Sequence, residues 1–136
     1  MFNKVTIVGR VGGEPEMKYT NSGTALTTFS VATSKYSSKQ IKGWKEAGQG
    51  YALTTWWRVT CWGDRAQYAY DRVAKGSVVL VEGEIGGDAE NGEQSPHVWQ
   101  DTSGCRSSYD LTALNVTVIS DRKQKEESQE QETLIF

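Results

Sequence analysis

The chain has 136 residues, 37 % of them hydrophobic and 24 % charged, and a formal net charge of −2. Such a length makes one domain with a short tail, able to bury a core without disulfide or metal staples. Cys61 and Cys105 stand far apart and His97 is the only histidine, so the sequence has no clustered ligand pairs for zinc, and neither metal nor cofactor is expected.

Met1 leads straight into a strand pattern without a charged-then-apolar leader, which fits a reducing cytoplasm rather than secretion. Residues 3–12, NKVTIVGRVG, alternate: Val5, Ile7 and Val11 fall on one face, Lys4, Thr6 and Arg10 largely on the other. That spacing predicts a half-buried strand ended by Gly12-Gly13. Residues 19–23 form a turn cluster. Residues 24–35 are Thr-rich and β-branched, a second strand with Phe29 and Val31 on one side. Residues 36–52 have no period and read as a long loop. A third strand spans 53–62, a fourth 78–85 and a fifth 111–119. Cys61 lies in the apolar pattern of the third strand and reads as a small core residue, although spacing alone leaves a disulfide open.

Between the third and fourth strands, Asp64 and Gln67 make a capping-box pattern. Ala66, Ala69, Tyr70 and Val73 share one helical face, and Gly76 suits a left-handed cap, so one helix is expected over 64–77. The chain is therefore all-β with one short helix. The order β-β-β-α-β-β is that of a five-stranded OB-fold barrel. The expected domain is 1–120. Residues 121–136 are polar and charged, and read as a disordered acidic tail.

Three of the five tryptophans lie in 54–63, TTWWRVTCWG. Alternation puts Trp56, Arg58, Thr60 and Trp62 on one face of that strand, and Trp57, Val59 and Cys61 on the other. The second face suits a core or a subunit contact. The first is a poor core, because Arg58 would be buried unpaired at a cost of about several kcal/mol. Left wet, it suits flat bases: stacking one on an aromatic ring contributes ~1–3 kcal/mol, and a guanidinium pairs with phosphate.

Residues 1–120 hold as many bases as acids, so any nucleic-acid surface must come from local clusters. The 36–52 loop is one. Lys39, Lys42 and Lys45, preceded by Lys35, interleave with Tyr36, Trp44 and Tyr51, against the single acid Glu46. Spaced aromatics among cations suit a single-strand groove. Residues 86–98 are the opposite, with Asp88, Glu90 and Glu93 and no Lys or Arg; they read as a loop bent away from the strand path, before Trp99 and Arg106. In the tail, Glu126, Glu127, Glu130 and Glu132 precede the apolar Leu134, Ile135 and Phe136, a pattern for docking into a partner's pocket.

Taken together, NKVTIVGRVGGEPEMKYTNSG (3–23), TFSVATSK (28–35), WWRVTCWGDRAQYA (56–69), KGSVVLVEGEI (75–85) and WQDTSG (99–104) resemble bacterial single-stranded DNA-binding proteins, the cyanobacterial-type members most of all. The resemblance covers almost all of 1–120 plus the apolar tip. It implies an OB-fold domain, assembled into a homotetramer, that wraps single-stranded DNA without sequence preference. It also implies a nucleoid-associated, cytoplasmic protein of replication, recombination and repair, whose tip recruits partner enzymes. The family's stacking aromatics map onto Tyr36, Trp56, Trp62 and Trp99, and its phosphate contacts onto Lys18 and Arg58. Trp57 falls at a position the family places in subunit contacts. The chain departs from the family in its acidic 86–98 segment, in a tip without proline or adjacent acids, and in a short linker.

Two other classes of function compete. One is an OB-fold accessory or restart factor acting mainly through protein–protein contacts, which the neutral body and the acidic segment favour. The other is an enzyme. The sequence has no phosphate-binding glycine loop ending in Gly-Lys-Ser/Thr and no metal cluster, and His97 lies in a polar loop, so no catalysis is expected. Nor is a membrane partner.

Overall fold

The computed structural model describes residues 1–37, 51–90 and 93–120. The first alternating stretch forms β1 (Val5–Val11), with Ile7 and Val11 buried and Thr6, Val8 and Arg10 exposed. It is followed by β2 (Glu16–Tyr19), β3 (Ala25–Ser37), β4 (Tyr51–Trp62), α1 (Asp64–Arg72), β5 (Val78–Ile85), β6 (Asp88–Glu90), β7 (Glu93–Ser95), β8 (His97–Asp101) and β9 (Gly104–Ser120).

Five of these strands close a barrel. The ladder runs β1–β5–β9–β4–β3, and β3 returns to β1 through Arg10↔Ala32 and Val11↔Val31. The β4–β9 pairing is parallel and the others are antiparallel. Closure is local, which leaves the start of β3 free to pair elsewhere, and α1 enters between the third and fourth barrel strands. This is the expected OB-fold, with β1, β3, β4, β5 and β9 as its five strands.

The pleat explains the core. Val31, Val59, Cys61, Val79, Val81 and Leu111 point inward and are buried, joined by Phe29 and Ala113. Ala69 and Val73 add the helix to the same cluster. Thr27 fastens the helix to the barrel, its buried hydroxyl donating to the Ala66 carbonyl at 2.7 Å. Burial pushes the Cys61 thiol up to about 12, against the smaller opposing pull of Arg65. Cys61 is thus the small core residue its strand predicts, and Cys105 is a free, exposed thiol.

The helix is shorter than 64–77. Val73 is already extended, although its N–H still donates to the Ala69 carbonyl. Its side chain keeps the helical period because it faces the core, which is why periodicity overruns the backbone. Gly76, at φ 88°, belongs to the turn beyond, where Ser77 N–H donates to Ala74 O and Ala74 N–H donates to Ser77 Oγ. The capping box does not form, since no side chain caps the first turn and Gln67 donates to Asp71 instead.

Four strands lie outside the five-strand expectation. β2 adds to the outer side of β3, from Glu16↔Thr28 to Tyr19↔Ala25. β6 and β7 form a separate hairpin, so the acidic segment is not the simple loop expected. Gly87, at φ 125°, permits the pairing, because a Cβ there would overlap the Ser95 carbonyl oxygen. β8 folds back on the first part of β9 in a second hairpin, which lengthens β9 well before Leu111. β3 and β4 also run on to Ser37 and Tyr51, into the expected loop. The central part of that loop, with Lys39, Lys42, Trp44 and Lys45, lies outside the described residues, as does the tail 121–136 with Leu134, Ile135 and Phe136.

Candidate nucleic-acid interface

The face assignment of β4 holds. Trp57 is half-buried against the core, and Val59 and Cys61 are fully buried. Trp56 is 50 % exposed and Trp62 43 %, while Arg58 between them is exposed too. Their cross-strand neighbours on β3 are small or slender: Ala32 faces Trp56, Ser30 faces Arg58 and Leu26 faces Trp62. Small neighbours leave the indoles standing proud of the sheet. β2 extends the same row outward, because Leu26 also pairs with Lys18. Lys18, which is exposed, thus sits in line with Trp62.

Gly12 supports the other indole. A Cβ there would lie 2.6 Å from Cζ3 of Trp56 and 3.1 Å from Ser30 Oγ. The ring of Trp56 therefore rests against bare backbone, whose N–H donates to Ser30 O at 3.0 Å. This support is invisible to a search for aromatics and cations; the only sequence signal is the Gly12-Gly13 pair.

A second wall rises from the β8–β9 hairpin. His97 and Trp99 are two apart on β8, so the pleat turns them to one face, and their rings stack with centroids 5.4 Å apart. Trp99 is 40 % exposed. Between this wall and β4 lies a cleft of about 480 Å³. Trp56 and Arg58 line one side, His97 and Trp99 the other, with Ser30, Ser108 and the edge of Trp57 between. Rings on two sides, a guanidinium and two hydroxyls make a slot for a flat, polar-edged group attached to an anion. The acidic segment does not displace Trp99 from this site. It is looped out as the β6–β7 hairpin before the chain returns to β8.

His97, read from the sequence as a surface residue of a polar loop, is a wall of the cleft. Its spacing from Trp99 is the signal, once His97-Val98-Trp99 is recognised as strand.

Other expected residues behave differently. Lys35 is exposed but has the parity of Val31 and Thr33, the opposite face of the ribbon from Trp56. Charge composition groups it with the basic stretch, and the two-residue period separates it. Tyr36 is in the β3–β4 ladder opposite Ala52, with its side chain outside the described residues. Arg106 sits opposite Trp99 but is engaged at the hairpin turn. Its Nε lies 2.8 Å from Asp101 Oδ2, and its Nη2 donates to Ser103 Oγ at 2.8 Å. The hydroxyl and N–H of Ser103, and then Arg106, hold the Asp101 carboxyl below its usual range. Asp110 faces Arg58 across the β4–β9 ladder and accepts from Ser108 Oγ at 3.2 Å, so an acid tempers the positive centre of the face. Trp57 is anchored within the chain. Its indole N–H donates to Thr33 Oγ1 at 3.0 Å, and its ring lies 5.4 Å from that of Tyr109.

Among the described residues, no group of His, Cys, Asp and Glu could hold a metal ion, and no helix is long and apolar enough to cross a membrane.

The family model described as the single-strand binding protein family matches residues 2–119. The chain belongs to that family. The single-strand binding protein family consists of binding proteins, so the chain is not an enzyme. The match is to the family as a whole. A single-stranded DNA-binding protein of Thermotoga maritima is 31 % identical over 96 % of this chain and 82 % of its own length. One from Xanthomonas campestris is 36 % identical over 68 % of this chain and half of its own length. One from Neisseria meningitidis is 30 % identical over 90 % of this chain and 63 % of its own. A crystal structure of a deletion mutant of the single-stranded DNA binding protein from Thermus aquaticus superposes with a TM-score of 0.60 over 89 % of this chain and 52 % of that one. At 22 % identity, that likeness concerns the fold.

The contact at Gly12 gives a test of the site's geometry. The far edge of the Trp56 ring is free to swing aside, so Gly12→Ala is expected to change stability by less than ~1 kcal/mol. The ring itself must move. Near-ultraviolet circular dichroism and tryptophan emission are expected to change while the denaturant midpoint holds. Unchanged spectra would mean that Trp56 does not rest on Gly12.

Proposed function

We propose that the chain binds single-stranded DNA without sequence preference. Bases stack on Trp56, Trp62 and Trp99, while Arg58 and Lys18 hold phosphates. The observation that carries this reading is the outward face of β4: two half-exposed indoles flank an exposed guanidinium, set against small neighbours and a glycine. Every base has a flat face, so such a surface is indifferent to sequence. The names of the relatives agree with it. By their chemistry, Tyr36, Lys35, Lys39, Lys42, Trp44, Lys45 and Arg106 add to the DNA-binding set in this reading. Lys35 and Arg106 contribute mainly to the local field, one from the opposite face and the other through an existing ion pair.

In the same proposal, residues 1–120 are the DNA-binding domain and 121–136 an acidic tail. The protein covers exposed strands during replication, recombination and repair, in the cytoplasm at the nucleoid. Copies of the chain assemble as a homotetramer, with Trp57 contributing to subunit contacts. Leu134, Ile135 and Phe136, led by Glu126, Glu127, Glu130 and Glu132, anchor replication and repair enzymes. The acid at Asp110 beside Arg58 favours one further reading, an accessory factor of weak DNA affinity that works mainly through proteins. Affinity and occluded site size for oligo-dT separate the two.

Trp56→Ala and Trp62→Ala are each expected to weaken oligo-dT binding by ~1–3 kcal/mol, measured by the anisotropy of a labelled strand. Parent-like affinity in both variants would remove β4 from the binding face.

Deleting residues 126–136 is expected to leave the fold intact, to tighten DNA binding slightly at low salt and to abolish recovery of partner enzymes in pull-downs. Equal recovery by the full and shortened chains would show that the apolar tip is not a docking motif.

A further inference from the structure

The β8–β9 hairpin carries Trp99 to the cleft, and its tip is tied by a closed set of polar contacts. Arg106 is the register partner of Trp99, and Asp101 stands two residues beyond Trp99 on β8. The pleat therefore sets all three side chains on the same face of the hairpin. The Arg106 guanidinium is spent on the tip. Its Nε lies 2.8 Å from Asp101 Oδ2 and donates to Ser103 Oγ at 3.2 Å, and its Nη2 donates to the same hydroxyl at 2.8 Å. Asp101 is itself fixed, because its Oδ1 accepts from the Ser103 N–H at 2.7 Å and from the Ser103 hydroxyl. That hydroxyl and N–H, and then Arg106, hold the carboxyl below its usual range, so the anion persists. Both side chains are open to water, at 58 % for Arg106 and 38 % for Asp101. An ion pair this exposed contributes little to stability. Its main consequence is electrostatic: the pair leaves the tip beside Trp99 without net charge.

We propose that Asp101 limits the affinity of the site: by engaging Arg106, it withholds one phosphate contact from a single strand at the Trp99 end of the cleft. The inference rests on the single-strand reading above. A base stacked on Trp99 carries its own phosphate within one nucleotide of the ring, and Arg106 is the cation that the ladder sets beside that ring. Arg106 is cationic at every working pH. To reach a phosphate it must leave Asp101, and the carboxylate left behind, still held by Ser103, repels the same phosphate. Removing that carboxylate turns the tip from neutral to cationic and leaves Trp56, Arg58 and Trp99 untouched. Asp110 already faces Arg58, so one released cation is a large fractional change for this face.

The test is a salt series of oligo-dT binding to the full chain, followed by the anisotropy of a labelled strand. Each phosphate contact on a single strand adds about 0.7 to the slope of log affinity against log salt. Asp101→Asn keeps the shape of the side chain and an oxygen to accept from the Ser103 N–H. It is expected to bind more tightly at low salt, with a slope steeper by up to about 0.7. Arg106→Gln is expected to lower the slope by the same amount in the Asp101→Asn background, and by much less in the parent background, where it alters only the local field. A parent-like or shallower slope in Asp101→Asn would overturn the proposal. So would a steeper slope that survives in the double variant, which would mean lost repulsion alone. An equally large drop on Arg106→Gln in the parent background would also overturn it, because Arg106 would then already hold a phosphate; this arm does not depend on how Asp101→Asn folds. A parent chain that binds oligo-dT, with none of these differences among the variants, leaves the single-strand reading standing and Asp101 outside it. Failure of the parent chain to bind oligo-dT would sink both.

Discussion

The pleat of β4 assigns each of its side chains to the inside or the outside of a closed barrel. Val59 and Cys61 fall inside and are fully buried, with Trp57 half-buried beside them. Trp56, Arg58 and Trp62 are thereby forced outside, where water solvates the guanidinium and leaves the indoles with exposed faces. A one-residue slip in the register of β4 against β3 would put Arg58 in the core and Val59 in solvent, so the packing that stabilises the barrel also fixes the proposed binding face. Stability and the proposed binding face are two consequences of one alternation.

The rest of the site is built around that strand. β3 supplies small partners, β2 brings Lys18 into the row of Trp62, and Gly12 of the β1–β2 connection leaves room for the Trp56 ring. The β8–β9 hairpin adds a facing wall, turning an open face into a cleft. The acidic segment forms a separate small sheet, β6 with β7, outside the barrel ladder. Electrostatics on this surface are restrained, because Asp101 engages Arg106 and Asp110 faces Arg58.

The parts of this arrangement that local rules govern were legible in the sequence. The barrel strands and both faces of β4 follow from two-residue alternation, and the start of the helix follows from its period at Ala66 and Ala69. What was not legible depends on distant pairing. β2 has only four residues, none of them β-branched, and exists because β3 offers an outer edge. The β6–β7 hairpin shows no apolar alternation, and its base depends on Gly87 meeting Ser95 without a side chain between them. The helix end was obscured because Val73 keeps facing the core after the backbone has left the helix. On the proposed face, the exposed positions of Trp56, Arg58, Trp62 and Trp99 were anticipated by chemistry and spacing. The places of Gly12 and His97 beside it were not, because they arise from what the fold sets next to them. Lys35 shows the limit of composition: it groups with the cations of the expected basic stretch, and the pleat gives it the parity of Val31 and Thr33 rather than that of Trp56's neighbours.

The central claim is that exposed indoles on β4 and β8 receive the bases of a single strand. Its most direct measurement is the intrinsic tryptophan fluorescence of the intact chain, titrated with oligo-dT and, separately, with a duplex of the same length. The account predicts saturable quenching by the single strand, because stacked bases cover Trp56, Trp62 and Trp99, and much weaker quenching by the duplex, whose bases are already stacked on one another. Binding of oligo-dT without quenching, or equal quenching by the duplex, would contradict it.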